Sequence, residues 1–302
     1  MHILMIFLDG VGLGENDPTI NPFAYSDFPT LTTLTNGKRW LNSTGKQVTA
    51  RGVFIPTDPR MGVAGRPQSA TGQATIITGK NIPAMIGRHY GPKPNEKIRD
   101  YLDKDNIFKT LSKHSKTAAL LEAYPPPWHK GIQSGKSLPA SYQYAIRSAG
   151  YPFMTKADLI AGNALSGDWT GAGWRDQLGH NDIPVRSAYE AGKHLVQLSR
   201  NYDFALMSHW LTDVVGHRGP LERGVELLQD FDEVMRGVLD SWDDNEGLVI
   251  MTSDHGNIEA IHDRRHTEND VPSLVIGNGK DSFTDSLTDL TDFVPRILSA
   301  LI

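Results

Sequence analysis

The stretch His2-Ile3-Leu4-Met5-Ile6-Phe7-Leu8-Asp9-Gly10-Val11-Gly12 decides how the chain is to be read. From His2 to Leu8 it is a short apolar run, the pattern of a strand buried on both faces, as in a parallel sheet. The run stops at an acid and a glycine-rich turn. The Asp9 carboxylate would therefore stand at the carboxyl edge of the sheet, where open α/β folds carry their sites. Taken singly, an aspartate before glycine is more often a turn former, so the rest of the chain has to decide.

Outward from that stretch, Thr117 to Leu121, Phe204 to Ser208, Leu248 to Thr252 and Ser273 to Ile276 repeat the strand-like pattern. Ala188 to Arg200, Leu221 to Trp242 and Leu290 to Leu301 return apolar residues every three or four positions, as helices covering a sheet do. The alternation predicts an α/β fold with a mostly parallel sheet flanked by helices. Between Pro83 and Pro184 the pattern loosens, with Tyr124-Pro125-Pro126-Pro127 and a Gly/Trp-rich stretch from Gly162 to Gly179. This predicts a catalytic α/β core over 1–83 and 185–302 with a small inserted cap over 84–184. Thr117 to Leu121 reads as a strand of either part.

Composition narrows the chemistry. Of 302 residues, 39% are hydrophobic and 22% charged, an ordinary globular mixture, and the net charge of -5 gives no broad basic face for nucleic acid or anionic lipid. A small-molecule substrate is expected, with no nucleic acid and no membrane as partner. No cysteine occurs, which excludes thiolate catalysis, so any metal must be held by His, Asp or Glu. The opening apolar run lacks a basic leader, and no segment has the apolar length of a bilayer span, so the expected location is cytoplasmic.

Four further clusters could act with Asp9. In Asp213-Val214-Val215-Gly216-His217, acid and imidazole are four residues apart and share one face of a helix. In Ser253-Asp254-His255-Gly256-Asn257, two ligand types close a buried strand. They can serve one metal only if the backbone leaves the strand conformation there, which Gly256 makes easier. His266, in Arg264-Arg265-His266-Thr267, could complete a metal set, with His262 as a competitor and His209 as a supporting histidine. Gly65-Arg66-Pro67-Gln68-Ser69-Ala70-Thr71-Gly72-Gln73 has the layout of a loop entering a helix. A serine there meets the anion-binding end of the helix and can be activated by a metal rather than a base. Ser69 as a plain helix cap, and Thr71 as the nucleophile, are the alternatives.

In this order the motifs resemble the alkaline phosphatase superfamily, most closely the branch of cofactor-independent phosphoglycerate mutase and phosphopentomutase. Asp9-Gly10-Val11-Gly12 is similar to its first motif and Gln68-Ser69-Ala70-Thr71-Gly72-Gln73 to its nucleophile motif. Asp213 to His217, Asp254 to Asn257 and His266-Thr267 are similar to its metal motifs. The resemblance covers about Met1 to Lys80 and Asn201 to Ile302. It implies two divalent cations, manganese, zinc or magnesium: one held by Asp213, His217 and His266, the other surrounded by Asp9, Ser69, Asp254 and His255. It further implies phosphoryl transfer from a small phosphate ester through a phosphoserine on Ser69, as a phosphatase or a phosphomutase. Two departures stand out. Gln73 replaces the histidine that typically closes the nucleophile motif, and the inserted segment is much shorter than a phosphoglycerate mutase transferase domain. Substrate contacts would come from cations such as Arg88, in Ile86 to Lys93, or from Arg66, Lys80, Arg147 or Arg175. A phosphodiesterase, phosphonate hydrolase or sulfatase on the same scaffold is the second reading, although Ser69 to Gln73 lacks the sulfatase Cys/Ser-x-Pro-x-Arg pattern. A non-catalytic metal-binding or regulatory homologue is the third.

Overall fold

The computed structural model describes all of residues 1–302. Its centre is a seven-stranded sheet: β1 (His2–Leu8), β2 (Gln47–Val48), β3 (Gly52–Thr57), β4 (Ala118–Leu120), β5 (Phe204–His209), β6 (Gly247–Ser253) and β7 (Val271–Ile276), in the order β2-β3-β7-β6-β1-β5-β4. β4, β5, β1 and β6 run parallel, whereas β7 pairs antiparallel with β6 and with β3, and β2 antiparallel with β3. The sheet is thus mixed, parallel through its centre and antiparallel at one side. The hairpin of β2 and β3 was not among the expected strands. Pro56 interrupts its apolar run, and the register pairs it with Pro272 of β7. Two prolines can face each other there because alternate antiparallel pairs exchange no hydrogen bonds.

The principal helices are α1 (Ser69–Thr78), α2 (Glu96–Lys104), α3 (Ile107–Lys113), α4 (Ser141–Ser148), α5 (Ala188–Ser199), α6 (Leu211–Arg218), α7 (Leu221–Ser241) and α8 (Phe293–Leu301). β1 shows why the sheet is sandwiched. Leu4, Ile6 and Leu8 enter one core with residues of α5 and α7, while Ile3, Met5 and Phe7 enter the other with residues of α1, α2, α3, α4 and α8. Successive strand side chains point to opposite faces, so a strand apolar at every position needs helices on both. α5 begins with a capping box, Ser187 with Glu190, which satisfies donors a helix start leaves free.

Residues 84–184, expected as an inserted cap, divide in the structure. β4 is the edge strand of the main sheet, and Ile98, Leu102, Phe108, Leu111, Tyr142 and Ile146 belong to the core. A separate small cluster gathers Ala123, Leu159, Ala164, Trp174 and Ile183. The division has a physical origin: β4 pairs with β5 in register Ala118 to Phe204, which draws the flanking helices onto the sheet. No helix is long and apolar enough to cross a membrane.

Candidate metal centre and nucleophile

The parallel strands deliver the acids and imidazoles to one edge. Asp9 follows β1, Asp254 and His255 follow β6, and β5 leads through Trp210 into α6, which carries Asp213 and His217 one turn apart. The Thr212 hydroxyl donates to the Asp9 carbonyl at 2.5 Å and fastens the start of α6 to the end of β1. Gly10 (φ 71°) lies so close to Asp213 that a Cβ on it would stand 2.8 Å from Oδ1. β6 ends at Ser253, so Asp254 and His255 sit in the following turn, and Asp254 Oδ2 is 3.6 Å from His255 Nε2. Adjacent residues that would point apart in a strand here converge.

Two sets of ligand atoms each gather within 4.8 Å: Asp213 with His217 and His266, and Asp9 with Asp213 and His255. Asp213 therefore stands between them, whereas the grouping implied by the motifs put it with the first alone. Asp254 joins the second set through Gln73, whose Nε2 donates to Asp9 Oδ2 at 3.1 Å and to Asp254 Oδ2 at 3.2 Å. Ser69 Oγ is 3.0 Å from His255 Nε2. All seven predicted residues are thus assembled.

The first set has a donor chemistry that asks for a cation. His217 Nδ1 is 2.8 Å from the Arg264 carbonyl and His266 Nδ1 2.8 Å from the Pro67 carbonyl. A carbonyl only accepts, so each Nδ1 carries a proton, and in the neutral, metal-binding form of the ring each Nε2 presents a lone pair. The two Nε2 atoms face each other at 3.1 Å, with Asp213 Oδ1 at 3.4 and 3.5 Å. Three acceptors converge with no donor among them. Burial, and the charge of His255, lower the His266 pKa and disfavour a proton there. Imidazole and carboxylate ligands suit zinc, manganese and related divalent ions.

The second set is more deeply enclosed. Burial raises the Asp9 carboxyl, and burial with the charge of Asp9 raises Asp254 well above the usual range. Burial opposes charge on His255, yet Asp254, Asp9 and Asp213 outweigh it and push its pKa up to about 10. Despite its own burial Asp213 is held low by the His266 imidazole beside it, by the charge of His255 and by the hydrogen bond from Asn257. A site that crowds acids this closely holds positive charge, as protons or as metal.

Ser69 opens α1. Gln68 at its cap position makes no side-chain cap, and the Thr71 N–H donates to the Tyr90 carbonyl at 3.0 Å. The N–H groups of Ser69 and Ala70 have no partner within the chain, the donor arrangement that receives an anion at a helix start. α1 rests against the Asp254 turn so closely that a Cβ on Gly72 would lie 2.8 Å from Asp254 Cβ.

Of the expected substrate contacts, Arg88 is not brought to this cluster. It is exposed, with its guanidinium 5.5 Å from the Tyr90 ring centroid. The chain turns there so that Lys93, not Arg88, comes within electrostatic reach of Asp9 and of Glu122. Lys93 makes no ion pair; surrounding protein lowers its pKa against the pull of both acids. His209 is fully buried, its Nδ1 2.7 Å from the Gly167 carbonyl, and burial lowers its pKa to about 4.

Two buried acids, Glu122 and Glu259, have no local signal in the sequence, and Asn257 gains a contact beyond its place in the Asp254 motif. Glu122, just past β4, accepts from Tyr124 Oη at 2.6 Å, from Ser208 Oγ, and from Trp210 Nε1 at 2.9 Å. Burial pushes its carboxyl up to about 7 against those hydrogen bonds. Asn257 Nδ2 donates to Asp213 Oδ1 at 2.8 Å. Buried Glu259 accepts from the N–H groups of Gly12 and Asn257, from Thr267 Oγ1 and from Asn269 Nδ2. Only the strand order, unknown from sequence, brings Glu122 to Ser208 and Trp210. A surface depression of about 390 Å³ beside Asn16, Lys38 and Thr44 contains none of them.

Residues 181–301 match the Metalloenzyme superfamily, a range that includes Asp213, His217, Asp254, His255 and His266. A 2,3-bisphosphoglycerate-independent phosphoglycerate mutase of Legionella pneumophila (strain Paris) is 33% identical over 127 residues, 39% of this chain and 24% of that protein. One of Clostridium perfringens (strain SM101 / Type A) is 33% identical over 130 residues, 39% of this chain and 25% of that one. The match thus spans about a quarter of these relatives. Among solved structures, the alkaline phosphatase of the Antarctic bacterium TAB5 superposes with TM-score 0.53 and 13% identity, covering 99% of this chain and 97% of that one. A cold-active alkaline phosphatase of Shewanella sp. superposes with TM-score 0.54 and 10% identity over 100% of both chains. The match to the Metalloenzyme superfamily over residues 181–301 thus lies within a chain whose whole length has the alkaline-phosphatase-like fold that its motifs resemble.

Proposed function

We propose that this chain is a two-cation phosphoryl-transfer enzyme that acts on a small phosphate ester through a phosphoserine on Ser69. The observation that carries the reading is the position of Ser69. Its Oγ lies 3.0 Å from His255 Nε2, at a helix start with free N–H groups, beside converged acceptors that call for positive charge. Asp213, His217 and His266 would hold one cation. Asp9, Asp254, His255 and Ser69 would surround the other, with Asp213 between the two. Two divalent ions so held would offset phosphate charge and favour the ionised serine.

The residues themselves supply the rest. The N–H groups of Ser69 and Ala70 receive phosphoryl oxygens, and the free ammonium of Lys93 supplies a further positive contact at the mouth. Ser69 Oγ bonds to phosphorus as the ester oxygen departs and takes up a proton. In the second half, water or a second hydroxyl displaces Ser69 from phosphorus. The named activity of the Legionella relative is a mutase, and in a mutase of this chain the outer part of 84–184 would have to screen the phosphoserine from water.

Phosphorus NMR on manganese-loaded protein with sugar phosphates, phosphoglycerates and aryl phosphates tests the reading. Free phosphate identifies a phosphatase and a new ester without free phosphate a mutase. An unchanged panel, with no phosphorylated Ser69 peptide by mass spectrometry, would overturn it.

A further inference from the structure

Two acids of the more buried ligand set come from turns after neighbouring strands, Asp9 after β1 and Asp254 after β6, and one amide joins them. Gln73 Nε2 donates one hydrogen to Asp9 Oδ2 at 3.1 Å and the other to Asp254 Oδ2 at 3.2 Å. When both carboxylates are ionised, as ligands of a cation are, they only accept, and the amide must present its nitrogen to them. This leaves Gln73 Oε1 buried without a partner, and the side chain borders, with Phe7, Ile76, Ile77, Tyr142 and Leu206, an apolar cavity of about 10 Å³. A void of that size is at the lower limit for a single water. The side chain thus gives up a hydrogen bond at its oxygen to make two at its nitrogen. The arrangement also selects oxygens: with Oδ2 engaged by Gln73, Asp9 turns its unpartnered Oδ1 toward His255 Nε2 at 3.4 Å.

We propose that Gln73 is a positioning residue for one of the two cation sites: an uncharged double donor that clamps Asp9 and Asp254 together and aims the free Asp9 oxygen at the cation. The histidine typical of this position in the phosphoglycerate mutase branch presents one N–H from a given ring nitrogen and can take up a charge. A glutamine presents two and takes up none. The clamp rests on the two-cation reading given above, and acts on one cation only, since Asp213, His217 and His266 make no contact with Gln73.

The test is manganese binding to chelator-stripped protein, followed by calorimetry and by electron paramagnetic resonance, for the unaltered chain, Gln73→Met and Gln73→His. The unaltered chain should bind two Mn²⁺ per chain and give the spectrum of a coupled pair. Gln73→Met matches the length and lacks both donors. It should weaken one site by about 10–100-fold, the usual effect of losing a group that orients a ligand, leave the other unchanged, and give an isolated-ion spectrum at one equivalent. Gln73→His, with one donor restored, should fall between. Two equally tight sites in Gln73→Met, or a loss of melting temperature in the stripped protein with both affinities intact, would overturn the clamp alone. An unaltered chain that binds no Mn²⁺ would overturn the two-cation reading and the clamp with it.

Discussion

Around Glu122 an acceptor meets donors: Tyr124, Ser208 and Trp210 all give a hydrogen to its carboxylate. Around Asp213, at the same edge of the same sheet, one donor, Asn257, serves three acceptors: two imidazole lone pairs 3.1 Å apart are left facing each other beside the carboxylate oxygen that Asn257 reaches. Both clusters are largely buried, and both were assembled by strand ends. Nearly all buried polar groups in folded chains find partners, so the first cluster is what folding alone produces. The second departs from that rule, and such departures gather where a chain holds something it does not itself contain.

The comparison can be broken most directly at Ser69. Ser69→Ala should lower phosphoester turnover by roughly 10³-fold or more while leaving the melting temperature and the Glu122 cluster unchanged. Phosphate release on the same substrates measures it, and full turnover in this variant would move the nucleophile to Thr71.

The satisfied cluster predicts a pH effect of its own. The Glu122 pKa is raised from 4.5 to about 7 by burial, so between those values the folded chain keeps a proton that the unfolded chain has lost. Its contribution is fully present below pH 4.5 and is lost as pH rises through about 7, on the order of 3 kcal/mol in all. Denaturation curves at pH 4.5 and 8 should show that decline in the unaltered chain and a flatter one in Glu122→Gln.

The unsatisfied cluster predicts the complementary result with metal. At about 100 times its dissociation constant, Mn²⁺ should raise stability by about 2.7 kcal/mol per site. His217→Ala should abolish part of that gain and Glu122→Gln none of it, read as denaturant midpoints with and without the ion. The smallest effect lies between the two clusters. Lys93→Met should cost about tenfold in kcat/KM, near the value of one charge-assisted hydrogen bond, whereas Arg88→Met should leave it unchanged.

The same contrast explains what could be read before folding. Asp9, Asp213, His217, Asp254 and His255 lie at strand ends or on one helix face, so each sits in a motif a few residues long, with strand and ligand adjacent in sequence. β1, β5 and β6 were equally legible, because strands buried on both faces are apolar throughout. The β2–β3 hairpin was not: β2 is two residues long and Pro56 masks β3. Nor were the partners of Glu122, which sit 86 and 88 residues away at Ser208 and Trp210, and meet it only because β4 pairs with β5. Lys93 was hidden for the same reason. Arg88 had the same local claim as Lys93, and only the path of the chain past Tyr90 separates them.

Glu259 has a consequence for how a substrate arrives. This one acid ties the turn of Asp9, through the Gly12 N–H, to the turn of His255, through the Asn257 N–H, and to the approach of His266, through Thr267. A Cβ on Gly12 or Gly256 would come within 2.2 or 2.1 Å of its carboxylate, so the three turns are fitted around it and move together or not at all. That side of the ligand cluster is fixed masonry. The exposed surface next to the ligands lies instead on α6, where Trp210 (42% exposed) and Val214 (41% exposed) neighbour Asp213 and His217 along the helix.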